Sequence, residues 1–67
     1  MTKPDWKDAP EDAEYLAQDL SGIWSFHQNE PRPERGIWDS TAGVWTVPIR
    51  GERFANPNWR DTLEKRP

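Results

Sequence analysis

Six carboxylates crowd the first twenty residues: Asp5, Asp8, Glu11, Asp12, Glu14 and Asp19, with the aromatic Trp6 among them. Acids at that density can hold a cation, share a proton in acid–base catalysis, or present negative charge to a basic partner. The first option fails on spacing, because a calcium loop sets its oxygen ligands around a central glycine and this stretch has none. Structural zinc fails on inventory: it takes four Cys or His ligands, and the chain has no cysteine and one histidine, His27. His27 is therefore read as an ordinary strand residue. Nucleophilic catalysis fails as well. Ser21, Ser25 and Ser40 stand in no nucleophile-elbow setting, and His27 would be the sole base. A carboxylate pair with a raised pKa needs a dry pocket, which so small a core has little room to enclose. The expectation is a protein that is not an enzyme and takes no cofactor, metal or small-molecule substrate.

The third option remains. Asp5, Asp8, Glu11, Asp12, Glu14 and Asp19, on a cap and a strand edge, can be spread along a line as phosphates are. A protein that presents Lys and Arg to DNA could then accept this surface in place of nucleic acid. Six acids against Lys3 and Lys7 leave residues 1–20 at −4, while residues 21–67 carry +1. The plain alternative is a solvated, solubilising surface. A second candidate surface combines arginine with tryptophan, through stacking or single-strand binding. At a net charge of −3 direct nucleic-acid binding is disfavoured. Most of the five tryptophans are expected in the core, with Arg50, Arg53 and Arg60 covering them or pairing with acids. Trp6 is expected to be a staple over a sheet or a partner-facing anchor, and Trp38 is the next choice for an anchor.

Elements must position these groups. Residues 1–8 read as a loose arm. Asp8-Ala9-Pro10-Glu11 has the order of a helix cap, an early-turn proline and a capping acid, which predicts a helical turn at residues 10–13. Residues 13–20 fit either helical or strand spacing. Asp19-Leu20-Ser21-Gly22 is turn chemistry, and Ile23-Trp24-Ser25-Phe26-His27-Gln28 is rich in strand formers. A hairpin of 13–18 with 23–29 is the reading adopted, with a helix over the first segment as its alternative. Glu30–Gly36, with two prolines, is expected to be an exposed loop without regular structure. Strands are expected at 37–39 and at 44–47, the second ended by Pro48, and residues 49–55 as irregular chain. Asn56-Pro57-Asn58 then opens a short helix near 57–64. The fold class expected is α+β: an antiparallel sheet of three or four strands, an N-terminal helical turn and a C-terminal helix. Trp24 and Trp45, in the most strand-prone runs, are expected to be buried.

Composition bounds the whole. Sixty-seven residues make a single small domain, 1–67. A hydrophobic share of 33%, a charged share of 31% and seven prolines lean toward disorder. Five Trp, two Phe and one Tyr lean the other way, because rings of about 200 Å² each offer the largest burial per residue. The lack of cysteine points to the cytoplasm. No apolar run has the length of a membrane span.

Trp6-Lys7-Asp8-Ala9-Pro10-Glu11-Asp12-Ala13, Leu16-Ala17-Gln18-Asp19 with Gly22-Ile23-Trp24, Glu30-Pro31, and the ending Asn56-Pro57-Asn58-Trp59-Arg60-Asp61-Thr62-Leu63-Glu64-Lys65-Arg66-Pro67 together resemble small Trp-rich proteins of bacteriophages and prophages. Arg32-Pro33-Glu34-Arg35 is more basic than that pattern. The resemblance implies a hairpin-containing domain and, by analogy with other small acidic phage proteins, an inhibitor of host defence such as an anti-CRISPR protein. The partner implied is a host protein of a nucleic-acid-binding complex. An accessory nucleic-acid-binding protein and a structural virion component are the alternatives.

Overall fold

The computed structural model describes residues 3–41, 43–48 and 53–67. Six strands form two antiparallel units. A four-stranded sheet runs in the order β5 (Val44–Thr46), β2 (Trp24–His27), β1 (Tyr15–Gln18), β6 (Glu64–Lys65), and a separate ribbon pairs β3 (Arg32–Glu34) with β4 (Ile37–Asp39). Two 3-10 turns, Trp6–Asp8 and Trp59–Thr62, complete the described elements.

The β1–β2 hairpin forms where its turn chemistry predicts. Gly22 donates to the Asp19 carbonyl at 2.9 Å, and Asp19 donates to the Ile23 carbonyl at 2.9 Å. Gly22 has a φ of +95°, and a Cβ on it would lie 2.3 Å from the Phe54 carbonyl oxygen. Only glycine fits there.

Side chains alternate across the sheet. Leu16, Trp24 and Phe26 form one apolar cluster with Ala13, onto which Trp6, Ala9, Trp45 and Val47 pack. Ala17 belongs to a second cluster with Trp38 and Trp59, to which Leu63 adds. The sheet is thus covered on one side by the N-terminal segment and on the other by the ribbon and the second 3-10 turn.

Several expectations need correction. No α-helix occurs among the described residues, so the fold is mainly β with isolated 3-10 turns, and the helical half of the α+β expectation is not found. Residues 10–13 form a single turn closed by Ala13 N–H on the Pro10 carbonyl at 3.1 Å. The 3-10 turn comes earlier, capped by Asp5, whose carboxylate accepts from the Lys7 amide at 3.0 Å. At the other end the predicted 57–64 helix is the turn Trp59–Thr62 followed by β6. An isolated helix of eight residues is marginal in water, whereas the open edge of β1 offers ladder bonds. Leu16 lies opposite Glu64, and Arg66 N–H donates to the Glu14 carbonyl at 2.7 Å. Where β6 stops, Thr62 takes over: its hydroxyl accepts from Gln18 N–H at 2.8 Å and donates to the Trp59 carbonyl at 2.7 Å.

The proline loop is the other correction. Arg32–Glu34 is a strand, although all three residues are exposed as expected. Arg35 (φ 49°) and Gly36 (φ 86°) form a two-residue turn with both central residues left-handed, the type that suits a tight hairpin. In that register Pro33 lies opposite Trp38. With Glu34 and Ile37 as the closing bonded pair, Pro33 and Trp38 turn their backbone groups outward. The missing proline donor is not needed there, and the outward Trp38 N–H goes to Asp19 Oδ1 at 2.9 Å. The irregular stretch expected at 49–55 lies outside the described residues up to residue 52, as does Arg50. Residues 53–55 carry no strand or helix.

Candidate functional site

The acidic surface is built mainly on the N-terminal segment. Asp5, Asp8, Glu11, Asp12 and Glu14 are all exposed. Asp5 is partly used, capping the first turn and lying 3.9 Å from the Lys7 ammonium. The carboxylates of Asp8, Glu11, Asp12 and Glu14 make no ion pair or hydrogen bond among the described residues. Asp19 is different. Half-buried, it holds the Trp38 amide, so its carboxylate is a structural brace for the ribbon. Burial pushes its pKa up, against the Trp38 hydrogen bond and the nearby His27, which pull it down.

Trp6 is stapled over the sheet. Its ring meets Phe26 edge to face at 5.4 Å, its indole N–H donates to Glu64 Oε1, and the Arg66 guanidinium stacks on it at 5.6 Å. Glu64 also pairs with Lys3. Burial raises the Glu64 pKa, but the bonds from Lys3 and Trp6 outweigh that and leave it below the ordinary value. Trp38, the second choice as a partner-facing anchor, is instead only 7% exposed. Its indole donates to the Gln18 carbonyl at 2.9 Å, and it packs edge to face on Trp59 at 5.5 Å. Trp24 is buried as expected, while Trp45 is half-buried. Arg60 stacks on Trp59 at 5.3 Å, in the covering role foreseen for it.

A cleft of about 710 Å³ opens between this acidic segment and the sheet. Phe26, Trp45 and Val47 line its apolar side; Pro4, Asp5, Lys7, Asp8 and Pro10 line the other. Trp45 and Pro48 were not singled out as site residues in the sequence. Their signal was a tryptophan in the expected strand 44–47 ended by proline, which reads as core until the neighbouring arm is placed.

His27 sits apart from this cleft. It is 1% exposed, and neither ring nitrogen has a hydrogen-bond partner among the described residues. Burial lowers its pKa below the ordinary 6.5, with the Asp19 carboxylate opposing. A group whose folded-state pKa is depressed in this way binds protons more readily in the unfolded chain. Stability is therefore full above about 6.5 and falls as pH drops toward the folded-state value. Asp19 has the opposite sign and acts in the carboxylate range. The expected result is a melting temperature that declines from about pH 7.5 to about pH 5.5. His27→Leu should flatten that decline and add about 1–3 kcal/mol at neutral pH, by removing buried polar atoms without partners. Thermal melts across pH check both.

No helix among the described residues is long and apolar enough to cross a membrane. No protein-family model matches the chain, and comparison with curated proteins and with solved structures found no match.

Proposed function

We propose that this chain is a protein-binding module whose acidic N-terminal surface docks on the basic groove of a nucleic-acid-handling complex in the host cytoplasm. In this reading it acts as a phage-encoded inhibitor of the anti-CRISPR kind, its carboxylates standing where phosphates would. The observation that carries the reading is the set Asp8, Glu11, Asp12 and Glu14: exposed acids with no partner among the described residues, gathered on one short segment. Acids that brace a fold are paired, as Asp19 is. Those left in water can be lent to a basic partner without breaking an internal bond, and they steer its approach.

The test begins with capture from host lysate, with and without nuclease, which separates a protein partner from a nucleic-acid one. Asp8, Glu11 and Asp12 are then reversed together to lysine. Stability should change by less than about 1 kcal/mol, since solvated acids contribute little. Association with the recovered partner should slow by at least about tenfold and lose its salt dependence, because exposed charges act over about 8–10 Å in physiological salt. Reversing Arg32 and Arg35 should have little effect. A triple reversal that binds as the wild type does would reduce the surface to a solubilising one.

A further inference from the structure

Strand order puts β5 at one edge of the sheet, and among the described residues no strand lies beyond it. The ladder decides which of its backbone groups are used. Trp45 lies opposite Phe26. In the same register Val47 N–H donates to the Trp24 carbonyl at 2.9 Å, and the Gly43 carbonyl accepts from Gln28 N–H at 2.8 Å. Alternate residues of an antiparallel strand bond to the same side, so residues 43, 45 and 47 face β2. The N–H and C=O groups of Val44 and Thr46 therefore point away from the sheet. Val44 is 48% exposed, and Thr46 is exposed. Pro48, the next outward position, has no N–H and ends the run of outward donors on that side.

The cleft lies beside this edge. Trp45 projects to the same side of the sheet as Phe26, and both line it together with Val47. A strand added about 4.8 Å beyond β5 would turn every second side chain into that cleft. One such side chain would cover Trp45 and Val47, and its neighbour two residues along would lie near the wall that carries Asp8. Asp8 has no partner among the described residues, while the cleft's two lysines are already engaged, Lys3 by Glu64 and Lys7 by Asp5.

We propose that the open edge of β5 binds an extended segment of the partner by strand addition, and that the segment is basic, with an apolar and a cationic side chain two residues apart. The inference rests on the acidic-surface reading above and names the part of the partner that is held. Backbone bonds to Val44 and Thr46 hold the segment, the aromatic side of the cleft takes its apolar side chain, and Asp8 selects the cation.

The probe is the blocked hexapeptide Arg-Thr-Val-Thr-Arg-Thr, with Glu-Thr-Val-Thr-Glu-Thr as its acidic analogue. Titrated into the full chain, the basic peptide should shift the Trp45 indole signal and slow exchange of the Val44 and Thr46 amides at least tenfold. Thr46→Pro removes the outward donor and should weaken binding at least tenfold. Should that variant fold poorly, a synthetic chain with a backbone ester at residue 46 deletes the same donor without the ring. The proposal is overturned if the acidic analogue binds as well, if the two amides exchange at unchanged rates, or if they are already protected by self-association of the free chain. The two readings fail separately. If the residue-46 ester captures the recovered partner as wild type does while the triple acid reversal does not, strand addition is wrong and the acidic surface stands. The converse result removes the acidic surface, and the cation selection by Asp8 with it, and leaves only strand addition at the edge.

Discussion

Trp38→Ala is expected to unfold the domain. The side chain is 7% exposed, lies edge to face on Trp59 at 5.5 Å and donates its indole N–H to Gln18. Deleting a buried ring of this size costs about 3–5 kcal/mol. At about 0.05–0.15 kcal/mol per residue a chain of 67 residues has about 3–10 kcal/mol in total, so the loss removes much or all of it. The ribbon β3–β4 and the second 3-10 turn both meet at this ring pair, so their attachment to β1 is lost together. Near-UV circular dichroism and a urea melt measure the outcome. Trp38→Phe keeps an aromatic on Trp59 but loses the bond to Gln18, and it should retain a cooperative melt at reduced stability. A native-like spectrum from Trp38→Ala would mean that the ribbon contributes little to the core.

Arg66→Ala is expected to have the next largest effect, about 2–3 kcal/mol. One guanidinium nitrogen donates to three carbonyls of the turn at residues 10–13: Pro10 at 3.0 Å, Glu11 at 3.3 Å and Ala13 at 2.7 Å. The same group covers the Trp6 ring. The side chain thus ties the C-terminal end to the segment that carries the exposed acids. Its loss should raise amide exchange at Ala13 and change Trp6 fluorescence, while the β1–β2 hairpin stays protected. Arg66→Lys should recover only part, since a single ammonium lacks the flat guanidinium that stacks on the ring. Unchanged exchange at Ala13 would show that the turn holds without this bond.

Local chemistry alone determined the part of the fold whose partners are near in sequence. Asp19-Leu20-Ser21-Gly22 dictates a turn, because Gly22 supplies the positive φ and the flanking runs supply strand formers, so β1–β2 was legible. That Asp8, Glu11 and Asp12 face water was only one of the sequence's readings, since Asp8 and Glu11 also had the order of a helix cap and its capping acid; the structure leaves them exposed while Trp6, Ala9 and Ala13 beside them pack on the sheet. Three matters lay beyond it. Pro33 looked like a strand breaker, yet whether a missing donor matters depends on which way the ladder turns that residue, and the register is set by Arg35-Gly36 together with the Asp19 brace on Trp38. Residues 57–64 had the order of helix signals, but tertiary contact offered Leu16 and Glu14 as ladder partners that a short solvated helix cannot match. Asp19 looked like one more surface acid and Trp38 like an exposed anchor. Only packing of the ribbon on β1 joins them into a buried contact. The candidate cleft is the same case: Asp8, Phe26 and Trp45 lie in three different elements, and only chain folding puts an unpaired acid beside an open strand edge.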